Sequence, residues 1–147
     1  MPLFVKSFDQ LSTEELYDIL RLRVSVFVVE QRCPYQELDG LDQEALHVYW
    51  KEGEEIQAYL RVMDRGPGRP YVSLGRVLTV PRRQGWGRKI LAQGIRVARE
   101  AFHGETLYLE AQVYAKGLYE AQGFRAISEE FLEDGIPHVK MLLEGTQ

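Results

Sequence analysis

Cysteine is nearly absent: Cys33 stands alone in 147 residues. One thiol excludes an intrachain disulfide, a cysteine zinc cluster and redox exchange by a cysteine pair. Histidine is scarce too, and the spacing of His47, His103 and His138 suggests no metal site. No apolar run approaches the roughly 20 residues of a membrane-spanning helix, and Met1-Pro2-Leu3-Phe4-Val5-Lys6 lacks the apolar stretch of a signal peptide. A cytoplasmic protein with no membrane association is expected. Repeats, low-complexity tracts and linkers rich in Gly, Pro or Ser are missing as well, so residues 1–147 read as one domain. The balance of 45% hydrophobic against 27% charged residues is that of a soluble chain able to bury a core.

One further absence is local. No Asp or Glu lies between Arg65 and Arg99, although that stretch carries Arg65, Arg69, Arg76, Arg82, Arg83, Arg88, Lys89, Arg96 and Arg99, half of the 18 basic residues. The net charge of −4 argues against a nucleic-acid binder. A basic segment inside an acidic protein suits a compact polyanion better than a long phosphate backbone.

Periodicity supplies the elements. Leu3 to Phe8 reads as a short strand. Ser12-Thr13-Glu14-Glu15 has the form of a capping box, and Leu16, Ile19, Leu20, Arg23, Val24 and Phe27 follow at helical spacing, which predicts a helix of about four turns. Cys33-Pro34 and Asp39-Gly40 bound an acidic loop. His47 to Met63 alternates around Gly53 as a hairpin, and Tyr71 to Val80 predicts a strand with Val72, Leu74, Leu78 and Val80 on one face. Gly85-Trp86-Gly87 opens a second helix carrying Leu91, Ile95, Ala98 and Phe102, ending at Gly104. Thr106 to Ala111 is a strand and Tyr114 to Gln122 a short helix stopped by Gly123. Phe124 to Phe131 and Val139 to Leu143 are further strands around an Asp134-Gly135 turn. The order β-α-β-β-β-α-β-α-β-β predicts an α/β fold, in the α+β sense, with a mixed sheet flanked by helices.

Chemistry concentrates in Gly75 to Lys89, a strand that passes through a basic, glycine-bearing loop into a helix. Glycines admit a ligand close to the backbone, and unpaired amides at a helix N-terminus favour phosphate, with Arg82, Arg83, Arg88 and Lys89 as countercharge. A P-loop is excluded because no Gly-Lys-Ser/Thr closes the segment. A dinucleotide fingerprint is excluded because Ile90 stands where a third small residue is required.

Arg82-x-x-Gly85-x-Gly87 after a strand resembles the acyl-CoA signature of the GNAT acetyltransferase superfamily. Leu118-Tyr119-Glu120-Ala121-Gln122-Gly123-Phe124 resembles that superfamily's tyrosine helix with its Gly-Phe sequel. Val24 to Asp39 and Glu133-Asp134-Gly135-Ile136-Pro137-His138 are similar to the ElaA-like branch. The resemblance implies a single-domain GNAT fold whose central strands splay around acetyl-CoA, with direct transfer of acetyl to a small-molecule or peptide amine in a ternary complex. It places Arg82, Arg83, Gln84, Gly85, Trp86, Gly87, Arg88 and Lys89 at the CoA phosphates. It also implies that backbone amides near Leu78 and Val80 bond the pantetheine arm and thioester carbonyl, and that Tyr119 protonates the departing thiolate.

Candidates for the base that deprotonates the amine are Glu110, placed best at the end of its strand, then Glu30 and His138. Each carboxylate has a surface or capping role as the alternative, His138 a structural one, and Cys33 reads as structural. Glu30, Glu37, Asp39, Asp42 and Glu44 outnumber Arg32 in the acidic loop, so Glu37 and Asp39 are expected to draw a cationic acceptor. Edge strands allow a homodimer. Two other readings stay open: a non-catalytic acyl-CoA-binding module, and an interaction protein docking an acidic partner through its basic segment.

Overall fold

The computed structural model describes residues 2–80 and 85–145. Its single sheet runs β1 (Leu3–Ser7), β2 (Leu46–Glu52), β3 (Glu55–Met63), β4 (Val72–Thr79), β5 (Leu107–Gln112), β8 (Ile136–Leu143), β6 (Arg125–Ala126), with β7 (Phe131–Glu133) also paired to β8. Every pairing is antiparallel except β4 with β5. Helices α1 (Thr13–Val24), α2 (Trp86–Phe102) and α3 (Lys116–Glu120) complete the fold, which is the mixed, mostly antiparallel α/β architecture expected.

Helix α1 begins as predicted: the Ser12 hydroxyl accepts from the Glu15 amide and the Glu15 carboxylate accepts from the Ser12 amide, both at 3.0 Å. It continues beyond Val24 as a wider π-helical stretch, Ser25–Glu30. Its apolar side, with Ile19 and Leu22, covers Tyr49, Ile56, Tyr59 and Leu78 on one face of the sheet. On the other face, Ile90, Leu91, Val97 and Ala98 of α2 pack on alternate residues of β2 to β5, forming the larger core. Gly94 permits the closest approach there, since a β-carbon would lie 2.6 Å from Leu60 Cδ2.

Two expectations about the strands are corrected. The predicted strand Phe124 to Phe131 is interrupted, leaving only β6 and β7. Between them the Ser128 hydroxyl takes the Lys140 amide at 3.0 Å, so a side chain substitutes for the ladder. Val72, Leu74 and Leu78 do not share a face: the first two belong to the α2 core and Leu78 to the α1 core. The cause is a bulge. Arg61 pairs with Gly75 but Tyr59 with Leu78, so one extra residue of β4 stands opposite Leu60, and Arg76 adopts a left-handed φ of 55°. Beyond an inserted residue the side-chain alternation reverses.

Candidate active site

Strands β4 and β5 pair only at Val72 with Leu107 and Ser73 with Tyr108, then diverge. The divergence opens a cleft of about 1170 Å³ lined by Val77, Thr79, Gly87, Glu110 and Tyr119, among others. That volume is large for a single small-molecule site.

The same bulge decides which amides face the opening. The Val80 amide donates to the Gln57 carbonyl at 2.9 Å, and Leu78 stands opposite Tyr59 in the same ladder phase. The amides of Leu78 and Val80 therefore belong to the β3 side, correcting the expectation that they meet a ligand. Alternation turns the Thr79 amide to the open side.

At the lower end of the cleft Gly85 takes φ 79°, a conformation that favours glycine, and starts α2 without any side-chain cap. The amides of the first helical turn are thus left for an external acceptor. Arg88 makes no ion pair among the described residues, and Lys89 lies over the Trp86 ring at 5.0 Å. Trp86 itself packs edge-on against Trp50 at 4.9 Å, a structural contact. Arg82, Arg83 and Gln84 lie outside the described residues. The rest of the basic segment is largely engaged elsewhere: Arg65 bonds the Phe102 carbonyl, Arg69 pairs with Glu44, Arg96 with Glu100, and Arg99 bonds the Glu144 carbonyl.

Tyr119 on α3 is 8% exposed and lines the cleft, its ring edge-on to Phe124. Burial, with a smaller contribution from Tyr114, pushes its hydroxyl up to about 12. That hydroxyl has no hydrogen-bond partner among the described residues.

The opposite wall comes from β5, β7 and β8. Leu107, Leu109 and Ala111 point into the α2 core, so alternation places Tyr108, Glu110 and Gln112 on the other face, where Glu110 stands opposite Lys140 and Gln112 opposite His138. The Tyr108 hydroxyl donates to Glu110 at 2.6 Å. A two-residue turn, with both Asp134 and Gly135 at positive φ, then folds Glu133 back beside them. Burial and the neighbouring Glu110 charge raise the Glu133 carboxyl above its ordinary range. His138 donates from Nδ1 to the Ile136 carbonyl at 2.7 Å, leaving Nε2 3.7 Å from Glu133. Glu30 also lines the cleft, at the end of the π-helical stretch, and the adjacent Gln31 bonds Gln112 across the opening. The cysteine is buried, its thiol 3.2 Å from the Asp134 carbonyl.

Glu37 and Asp39 are differently employed from what the acidic loop suggested. Glu37 is 2% exposed and receives Arg23 Nε at 2.9 Å and Arg76 Nε at 2.6 Å. Asp39 pairs with Arg61 and Arg76, and Asp42 with Arg23 at 2.6 Å and Arg61 at 2.9 Å. Burial opposes ionisation of Asp39, but the Arg61 hydrogen bonds and charge bring it down to about 2. Three guanidinium groups thus face three carboxylates, and little net charge remains to attract a cation. From sequence, Glu133 stands only within the ElaA-like tail, with no role, and Glu37 and Asp39 only as free charges, not as members of this network. Arg61 amid the buried residues of β3 and Arg23 on the apolar side of α1 were the signals for it, because a charge at a core position requires a buried partner.

An acetyltransferase (GNAT) domain model matches residues 10–144. A UPF0039 protein of Schizosaccharomyces pombe is 41% identical over 95% of this chain and 94% of its own length. ElaA of Escherichia coli is 34% identical over the same shares, and its crystal structure superposes with a TM-score of 0.88 over 98% of this chain and 100% of that one. An acyl-CoA N-acyltransferase of Pseudomonas aeruginosa, 36% identical, superposes with a TM-score of 0.91 over 97% and 99% of the two chains. With the divergent β4 and β5, the uncapped α2 and the Tyr119 helix in the expected order, these likenesses place the chain in the GNAT acetyltransferase family, beside ElaA and the UPF0039 proteins.

Proposed function

We propose that this protein transfers an acetyl group from acetyl-CoA directly to a cationic amine, with both substrates in the β4–β5 cleft at once. The observation that carries the reading is the divergence of the two strands, which leaves the Thr79 amide, the first turn of α2 and the Tyr119 hydroxyl facing one space. The residues fit the group. The α2 amides, with Arg88 and Lys89, suit its phosphates; the open side of β4 suits an amide-bearing arm. Acetyl-CoA supplies the acyl group already activated as a thioester.

Each step has its own residue. The Thr79 amide donates to the acyl oxygen as negative charge develops there, a contribution of about 3 kcal/mol per donor in other acyl-transfer enzymes. Tyr119, protonated throughout the neutral range, donates to the sulfur as it departs. An alkylammonium with a pKa of about 10.4 must first lose a proton. Glu133, with Glu110 beside it, is the acceptor for it, since burial and the neighbouring Glu110 charge make Glu133 hold a proton more readily than an isolated carboxylate does. His138 Nε2 stands beside them as a relay to solvent. Acceptor class follows from charge: Glu110, Glu133 and Asp134 line this wall against Lys140, and Glu30 lines the cleft from the π-helical stretch. The attraction expected of Glu37 and Asp39 is thereby transferred to β5 and the β7–β8 hairpin.

The test is thermal unfolding with and without acetyl-CoA, for the wild type and Gly87→Glu. Ligand at about 100 times its dissociation constant should stabilise the wild type by roughly 2.7 kcal/mol. Glutamate at position 87 puts a negative charge at the first turn of α2 and should abolish the shift in a protein that still folds. Release of free thiol with a panel of amines and diamines then reads turnover. No shift in the wild type at millimolar acetyl-CoA would refute the reading.

A further inference from the structure

We propose that Glu37 is a positioning residue for the acyl group: held between two guanidinium groups, it pins Arg76 in the β4 bulge and so keeps the Thr79 amide turned into the cleft. The inference rests on the acyl-transfer reading above and assigns a role to charges that reading does not use.

The argument begins with register. Upstream of the bulge Met63 pairs with Ser73 and Arg61 with Gly75. Continued without interruption, that register would set Tyr59 opposite Val77 and Gln57 opposite Thr79. The Thr79 amide would then take the place in the β3 ladder that the Val80 amide holds, donating to Gln57. One inserted residue is therefore the difference between an amide bonded within the sheet and an amide offered to a ligand.

The inserted conformation is one that arginine seldom adopts. Arg76 sits at φ 55°, where a β-carbon is strained and glycine or asparagine is the ordinary occupant. Its guanidinium supplies the restraint, donating from Nε to Glu37 Oε2 at 2.6 Å and from Nη2 to the Glu37 carbonyl at 2.9 Å. Glu37 is fixed from its other side by the fully buried Arg23, through Nε at 2.9 Å and Nη2 at 3.2 Å. Helix α1, the loop carrying Glu37 and the bulge of β4 are thus tied by a single carboxylate. Asp39 adds a weaker contact to Arg76 at 3.3 Å.

The experiment is calorimetric binding of two probes to the intact chain: acetyl-CoA, which spans the cleft, and adenosine bisphosphate, the phosphate-bearing end alone. Arg76→Ala and Glu37→Gln should each weaken acetyl-CoA by about tenfold or more while changing the bisphosphate by less than about twofold. Arg76→Gly should recover most of the acetyl-CoA affinity, because glycine holds the left-handed conformation without the clamp. A role confined to folding stability would not produce that recovery. Unchanged acetyl-CoA binding in Arg76→Ala overturns the proposal, as does Arg76→Gly binding as weakly as Arg76→Ala, or a parallel loss of both probes. Should Glu37→Gln fail to fold, the two Arg76 variants decide, since both remove the same Glu37 contact from a partly exposed side chain. A wild type that binds neither probe refutes the acyl-CoA reading itself, and this inference with it.

Discussion

Tyr119 illustrates how burial and an unused hydroxyl combine. Its ring is packed against Phe124, but the oxygen has no partner within the described residues. Removing that oxygen should therefore leave folding nearly untouched and act on chemistry alone. Tyr119→Phe is expected to lower kcat by about 100-fold or more, the usual worth of a positioned proton donor, with little change in KM. Steady-state thiol release measures the first effect and thermal unfolding the second. A drop of several degrees in Tm would instead mean that the hydroxyl serves the fold. The same residue was legible in the sequence only through its Gly-Phe sequel, because a helical tyrosine by itself is indistinguishable from core packing.

At the level of elements, glycines in one helix serve opposite ends. A β-carbon at Gly94 would lie 2.6 Å from Leu60 Cδ2 and 2.8 Å from Cδ1, inside a core where Leu60 has no exposure and little room to turn. A β-carbon at Gly87 would meet Leu118 at 3.5 Å, an ordinary contact. Alanine in a helix gains about 1 kcal/mol over glycine, whereas overpacking costs about 1–3 kcal/mol. Gly94→Ala should therefore lose up to about 2 kcal/mol and Gly87→Ala be neutral or slightly stabilising, as urea unfolding would show. The periodicity of α2 predicted its buried side correctly. It contained no sign of how near the sheet would come, because that distance depends on Leu60 in another element.

Across the whole molecule, acid stability follows from the polar contacts on the α1 face. His47 is fully buried and neutral, its Nε2 donating to the Asp42 carbonyl at 3.0 Å and its Nδ1 accepting from the Tyr59 hydroxyl at 2.7 Å. Burial lowers its pKa below the ordinary 6.5. A group whose folded pKa is depressed adds stability above its unfolded pKa and loses it as pH falls, so the first decline should begin near 6.5. Burial opposes ionisation of Glu15, yet the Ser12 amide, Tyr49 and Lys6 hold its carboxyl down at about 2, and Arg61 does the same for Asp39. Their contribution is present above the unfolded carboxylate range and disappears as pH falls toward 2. Unfolding measured from pH 8 to 3 should show both declines. His47→Gln should flatten the first relative to the wild type and leave the second.

Local signals determined much by themselves. The capping box at Ser12, the alternation of β2 to β5, the Asp134-Gly135 turn and the glycine-bearing entry to α2 are all short-range devices, each acting over a few neighbouring residues. From them the order of elements, the fold class and the position of the uncapped helix α2 were legible. Tertiary structure decided the rest. The extra residue at Arg76 reversed the facing of β4, and with it which amides meet the cleft, because register is set by the partner strand. It also decided where charge is available. Glu37, Asp39 and Asp42 are matched by Arg23, Arg61 and Arg76, while Glu110, Glu133 and His138 gather on the opposite wall. A carboxylate attracts a ligand only if no cation of the same chain reaches it first, and that is a matter of distance in the folded molecule.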